Sequence, residues 1–262
     1  MEQIIPKLPN DINRFIDVFG GGFNVGINVP AKTVIYNDTI KEVSQLIQTL
    51  YETELDIILQ RIDTLINKYD LSKTNQQGFL ELREYYNKNK SPIEFYVLVC
   101  YAFNNQIRFN SKGEFNMPFG KDRSSFNPTL REKFCMFVNE LQSKNCQFFS
   151  NDFRKLKLSN LKEDDFVYCD PPYLNTTASY NENGGWTIED ELALRDMLIQ
   201  LHNSEVKFGL SNNATTNETL LKWAEENGLY IHHLNINYNN CNYQKKDKGK
   251  DDEVYITNIL IR

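Results

Sequence analysis

The sequence is poor in residues that build metal and disulfide sites. Its 262 residues include three histidines and five cysteines. Cys100, Cys135, Cys146, Cys169 and Cys241 are odd in number, widely spaced and without a C-x-x-C. That argues against a zinc site or a disulfide framework and for reduced, mostly buried thiols. His202, His232 and His233 are too few and too badly spaced for a metal, so none is expected. No window approaches about 18 uncharged apolar residues, so no membrane span is expected. The opening Met1-Glu2-Gln3-Ile4-Ile5-Pro6 lacks a basic region and a long apolar run, so no secretory leader is expected. A cytoplasmic protein is the resulting expectation. An excess of positive charge is also missing. The formal net charge of −6 excludes a generally basic, histone-like chain but not a local nucleic-acid surface.

Aromatic residues are plentiful, with 17 Phe and 14 Tyr, enough for a substantial core. The length fits one domain with a large insertion or two domains in series. Strand signals at Arg14–Phe19 and Thr33–Tyr36 lead into a long helical spacing of apolar residues from Ile40 to about Lys68. Helices are predicted at Gln77–Tyr86 and Pro92–Phe103, with Ser91 as the cap of the latter. Gln106–Asn110 and Glu114–Met117 flank Ser111-Lys112-Gly113 as a predicted hairpin. After a helix at Pro128–Leu141, strand and helix alternate: Gln147–Ser150, Phe166–Cys169, a helix from Thr187 to about His202, Val206–Leu210, a helix at Glu218–Glu226, Tyr230–Ile236 and Glu253–Ile259. Alternation predicts an α/β, mainly parallel sheet with one antiparallel edge pair. Residues 1–39 and 140–262 would form this split domain, and residues 40–139 the insertion. The polar stretch Asn235–Asp252 reads as a loop, and its lysines Lys245, Lys246, Lys248 and Lys250 are balanced by acidic neighbours.

Two segments carry chemistry. Phe19-Gly20-Gly21-Gly22 follows the first strand, and glycines let backbone approach a ligand that side chains would block. Asp38 ends the second strand, where a carboxylate can accept both hydroxyls of a ribose. Neither G-x-G-x-x-G nor a P-loop pattern occurs, which weakens dinucleotide and nucleoside-triphosphate readings. The second segment is Asp170-Pro171-Pro172-Tyr173 behind the apolar strand Phe166–Cys169. Ligands of open α/β sheets sit outside the carboxyl ends of strands. Asp170 and the Pro171 carbonyl are both acceptors, suited to a substrate donating two hydrogens from one exocyclic NH₂. The prolines stiffen the turn and Tyr173 can stack on a flat base.

These segments, with Asn37-Asp38, Asn104–Arg108, Met117–Gly120, Phe208–Asn212 and Asp252–Ile256 in this order, resemble the Dam-type DNA adenine-N6 methyltransferases of bacteria and their phages. D-P-P-Y alone would also allow cytosine-N4 methylation. The resemblance implies a Rossmann-like S-adenosylmethionine-dependent methyltransferase domain with an inserted, mainly helical target-recognition domain carrying a β-hairpin. Phe19, Gly20, Gly21, Gly22, Asp38, Asp152, Phe153 and Asp170 would then meet the cofactor, S-adenosylmethionine. Asp170, Pro171, Pro172 and Tyr173 would hold a flipped-out adenine. Double-stranded DNA would be met by Asn105, Gln106, Arg108, Lys112, Pro118, Lys121 and Arg123, with Arg108 reading a guanine edge. A short site containing adenine, with GATC favoured, is implied, as is a monomer or a dimer on DNA.

Local charge agrees with that expectation. Residues 101–131 carry Arg108, Lys112, Lys121, Arg123 and Arg131 against Glu114 and Asp122, whereas residues 38–66 are acidic. Family members usually open with an aromatic-x-Gly-Asn/Ser-Lys segment that this sequence does not match. A DNA-binding, catalytically weak or partner-dependent relic is therefore the alternative expectation. A methyltransferase of RNA or of a protein amide is a third, disfavoured by the basic hairpin and by Asp at position 170.

Overall fold

The computed structural model describes residues 3–174, 185–217, 219–234 and 252–261. The lysine run at 245–250 and nearly all of the polar stretch before it lie outside the described residues. In chain order the elements are β1 (Ile12–Asp17), β2 (Ala31–Asn37), α1 (Lys41–Glu52), α2 (Leu55–Lys68), α3 (Gln76–Asn89), α4 (Pro92–Tyr101) and α5 (Pro128–Ser143). They continue with β3 (Cys146–Phe149), β4 (Phe166–Cys169), α6 (Ile188–Asn203), β5 (Lys207–Asn213), α7 (Leu220–Glu226), β6 (Tyr230–Leu234) and β7 (Glu253–Thr257). The chain divides into two compact units: Met1–Thr39, Asn151–Thr176 and Trp186–Arg262 in one, Ile40–Ser150 and Thr177–Gly185 in the other.

Six of the seven described strands belong to the first unit, in the order β2-β1-β4-β5-β7-β6. β2, β1, β4 and β5 run parallel. The expected antiparallel edge pair is β7 with β6, and β7 is antiparallel to β5 as well. The reason these segments are strands is their apolar run: all four residues of β4 are buried, as sheet strands covered on both faces must be. One face packs Ile16, Val167, Cys169, Phe208, Leu210 and Ile256 against Leu194, Leu198 and Leu201 of α6. Burying each such side chain contributes roughly 1.5–3 kcal/mol. Thr187 and Asp190 start α6 with a full capping box, worth about 1 kcal/mol.

β1 and β4 carry the two sequence motifs, and they are neighbours, with Phe15 opposite Phe166 and Asp17 opposite Tyr168. Their beginnings, at the opposite end from the motifs, are tied by Asp165, which is fully buried. It accepts from the Arg14 backbone N–H at 3.1 Å, Arg14 Nε at 2.9 Å and the Lys162 N–H at 2.8 Å, and is ion-paired with Arg14 Nη2.

The second unit is helical. α1 contacts α4 and α5, and α4 contacts α2 and α3. The apolar spacing expected as one long run is two helices, because Thr53 and Glu54 are extended. The break falls where the apolar phase slips, between Leu50 and Leu55. Ser91 stands at the start of α4 without capping it by its side chain; its hydroxyl goes to Glu94, a buried carboxylate that also pairs with Arg61. Arg131 grips Asp63 through two bonds of 2.6 and 2.9 Å. This unit continues to Ser150, beyond residue 139, because α5 runs on to Ser143 and Ser44 Oγ donates to the Phe149 carbonyl at 2.9 Å. The predicted hairpin is a turn without strands: Phe109 and Phe115 form a single bridge. Asn110 Oδ1 shapes it by accepting the Lys112 and Glu114 N–H groups, both at 3.0 Å.

No helix among the described residues is long and apolar enough to cross a membrane. Removing the Asp165 carboxylate leaves the Arg14 and Lys162 N–H groups without their acceptor, while the Arg14 guanidinium, part-exposed, keeps its bond to the Asn160 carbonyl. Asp165→Ala is therefore expected to cost about 2–3 kcal/mol of stability. Chemical denaturation checks this, and a loss below about 1 kcal/mol would contradict the tie's importance.

Candidate active site

At the carboxyl end of β1 the chain turns back on itself within a few residues. Gly20 N–H donates to the Asn37 carbonyl and Phe23 N–H to the Gly20 carbonyl, both at 2.7 Å. A Cβ on Gly20 would run into the Tyr36 ring, whereas Gly21 has φ +47° and open space where its Cβ would stand. Glycine is required at the first for close approach and at the second for conformation. Gly21 N–H donates to Asp38 Oδ2 at 2.9 Å and Tyr36 O–H to the Gly21 carbonyl at 2.8 Å.

Asn37 locks this turn to a third segment. Buried at the end of β2, it donates to the Val18 and Asn151 carbonyls and accepts the Asn151 N–H, all at 3.0 Å. Asp152 and Phe153 follow directly. Phe153 is 3% exposed and meets the rings of Phe19 and Trp186, with the three centroids 5.5–5.6 Å apart. Arg154 holds Asp152 through two 2.8 Å bonds and reaches Asp190 Oδ1, also at 2.8 Å. The Arg154 hydrogen bond keeps the Asp152 carboxyl below its ordinary range.

Asp170 leaves β4 at the same end of the sheet. Its side chain is exposed, yet neighbouring protein desolvates the carboxyl and, with the negative Glu253, pushes it up to about 7. A hydrogen bond from the Tyr173 side chain offsets part of that rise. Tyr173 is half-buried and its hydroxyl donates to Glu253 Oε2 at 2.8 Å. The pairing register places Tyr168, Ser211, Asn213 and Glu253 on the sheet face that Asp17 also occupies. Tyr168 and Ser211 hydroxyls meet at 2.7 Å, and Asn213 Nδ2 donates to Glu253 Oε1 at 3.4 Å. Asp17 is 2% exposed and accepts the Gly26 N–H at 3.1 Å. Burial, and then the charges of Asp170 and Asp38, push it up to about 7 against that hydrogen bond.

The residues present fit S-adenosylmethionine. The open glycine turn, the Asp38 carboxylate beside it and the aromatic wall of Phe19, Phe153 and Trp186 supply backbone approach, a hydroxyl acceptor and a flat apolar surface. Among the described residues no group of three His, Cys, Asp or Glu side chains could hold a metal.

The family model for the D12 class N6 adenine-specific DNA methyltransferases matches residues 1–240. The chain belongs to that family. It is 42% identical over 266 residues to the type II methyltransferase M.FokI of Planomicrobium okeanokoites, covering 98% of this chain and 41% of that protein. Identity to the modification methylase StsI of Streptococcus sanguinis is 40% over 267 residues, again 98% and 41%. The chain thus spans about two fifths of the length of these relatives. The type II methyltransferase M1.LlaDCHI of Lactococcus lactis subsp. cremoris is 28% identical over 278 residues, with 98% of this chain and 91% of that protein covered.

In this D12 class chain the structure brings together Phe19, Gly20, Gly21, Gly22, Asp38, Asp152, Phe153, Asp170 and Tyr173 in the first unit. Pro171 is buried and Pro172 exposed. The other expected set lies in the second unit. Gln106, Lys112, Pro118, Lys121 and Arg123 are exposed there. Arg108 is clamped by Asn116, with Nε to Oδ1 at 2.8 Å and Nη2 to the carbonyl at 3.0 Å. Asn105 has φ +54° and caps the end of α4, donating to the Val99 and Cys100 carbonyls at 3.1 Å. Its amide is therefore bound into the local fold. Sequence reasoning singled out no role for Asp17, Asn37, Arg154 or Glu253. A charged residue inside the apolar strand Phe15–Val18 was the one available signal, for Asp17.

Asp17 gives a pH prediction. Its folded carboxyl titrates above the ordinary unfolded value, so the folded state holds an extra proton between pH about 4 and 7. That contribution is fully present below pH about 4 and is lost as pH rises through about 7. Asp17→Asn is therefore expected to gain stability relative to the unsubstituted chain over this window, by up to about 4 kcal/mol. Thermal melts from pH 4 to 8 check this; a difference that stays constant with pH would contradict it.

Proposed function

We propose that the chain transfers a methyl group from S-adenosylmethionine to N6 of an adenine in duplex DNA. The observation carrying this reading is the exposed Asp170, set at the end of β4 beside the glycine turn of β1. Gly20, Gly21, Gly22 and Asp38 would hold the glycine-turn side of the cofactor, with Phe19, Phe153 and Asp152 around its base. When bound, the cofactor supplies an electrophilic methyl group.

Adenine N6 is a weak nucleophile because its lone pair is delocalised into the ring. Asp170 and the Pro171 carbonyl accept its two N–H groups, which favours a tetrahedral nitrogen with an available lone pair. Tyr173 stacks on the base, which must leave the duplex at a cost of a few kcal/mol. Above its titration at about 7, Asp rather than a neutral amide makes the acceptor charged, and charge-assisted hydrogen bonds are roughly twice as strong.

The helical unit Ile40–Ser150 is the DNA-recognition part in this reading. Exposed Lys112, Lys121 and Arg123 suit phosphates, and Arg108, aimed by Asn116, suits a guanine edge. GATC is the first site to test; it has the resemblance to Dam-type enzymes behind it. The relatives named as type II and modification methylases support a place in a restriction-modification system.

Asp170→Ala is expected to abolish tritiated-methyl incorporation while duplex affinity, read by fluorescence anisotropy, changes less than about tenfold. Near-normal incorporation by that variant would overturn the assignment.

A further inference from the structure

We propose that Glu253 is a positioning residue that holds the Tyr173 ring in its base-stacking orientation through the phenol hydroxyl. The proposal rests on the reading of Tyr173 as the stacking partner of the target adenine.

Stacking uses a ring face and does not need a hydroxyl. Tyr173 nonetheless has one, and it donates to Glu253 Oε2 at 2.8 Å. Glu253 is 2% exposed and stands at the first position of β7, a strand laddered on both sides. Asn213 Nδ2 approaches its other oxygen at 3.4 Å. The adjoining backbone is pinned as well: Ala214 N–H donates to the Asp252 carbonyl at 2.8 Å, and Asp252 N–H donates to Thr215 Oγ1 at 2.9 Å. The anchor is thus a strand residue, whereas the ring it holds sits on an irregular turn after two prolines. A charge-assisted bond from a fixed strand to a turn residue removes ring freedom before the base arrives, so less ordering remains to be done on binding. Glu253 is near enough for its charge to act on Asp170, and the Tyr173 hydroxyl itself lies within hydrogen-bonding reach of the Asp170 carboxyl, so the anchored phenol also borders the N6 acceptor.

The test compares Tyr173→Phe, Glu253→Leu, the double variant and Glu253→Gln in the full chain at pH 8.5, above the titration of Asp170. Methyl transfer to duplex DNA gives kcat and KM, and melting temperatures identify any variant that fails to fold. Glu253→Leu is expected to lower kcat about tenfold, and Tyr173→Phe at least as much, with the KM for S-adenosylmethionine unchanged. The double variant falls no further than Tyr173→Phe, which already removes the bond to Glu253 together with the hydroxyl's contact to Asp170. Glu253→Gln, whose amide carbonyl still accepts the phenol, recovers most of the loss. Full activity in Tyr173→Phe, or losses that multiply in the double variant, would overturn the tether while leaving the functional reading intact. If Glu253→Leu does not fold, Tyr173→Phe and Glu253→Gln still decide the matter. An unsubstituted chain that transfers no methyl group would overturn the functional reading and this proposal with it.

Discussion

Parallel pairing of β1 with β4 is the constraint on which the site depends. Two strands more than 140 residues apart in sequence lie side by side, with Asp17 opposite Tyr168. Because they run the same way, the glycine turn and the Asp-Pro-Pro-Tyr turn leave the sheet at one end. An antiparallel pairing would have sent them to opposite ends. Asp165 fixes the other end of this pair by binding Arg14 and the Lys162 N–H, so the register is held where the strands begin and expressed where they finish.

Negative charge is concentrated at the working end. Asp17, Asp38, Asp170 and Glu253 approach one another closely enough that Asp38 and Asp170 push Asp17 up, and Glu253 pushes Asp170 up. Like charges gathered at a strand end are destabilising by themselves and are a frequent mark of a functional site. A cationic sulfonium and an amino group with two hydrogens to donate are the partners such an arrangement suits. Arg154 stands apart from this cluster, neutralising Asp152 and Asp190.

Much of this was legible in the sequence. Apolar runs ending in glycine or in Asp-Pro-Pro announced β1 and β4, and Thr187 with Asp190 announced the start of α6. Where the reading went astray, a local pattern had been over-extended. The helical spacing from Ile40 to Lys68 hid a break at Thr53–Glu54, and Ser111-Lys112-Gly113 suggested strands where side-chain bonds from Asn110 shape a turn. Adjacency in sequence announced the antiparallel pair of β6 and β7, but not that β7 also pairs with β5. Asn37 and Glu253 stood inside segments that carried the resemblance, but their roles were not legible there. Their importance lies in partners 114 and 80 residues away, which no local window contains.

The central claim is that an exposed carboxylate beside a glycine turn directs a methyl group to adenine N6. Incubating the protein with duplex DNA and S-adenosylmethionine bearing a deuterated methyl group, then digesting the DNA to nucleosides for mass spectrometry, tests it most directly. The account predicts deuterated N6-methyladenine as the modified nucleoside. Deuterated N4-methylcytosine in its place, or no labelled nucleoside at all, would contradict it.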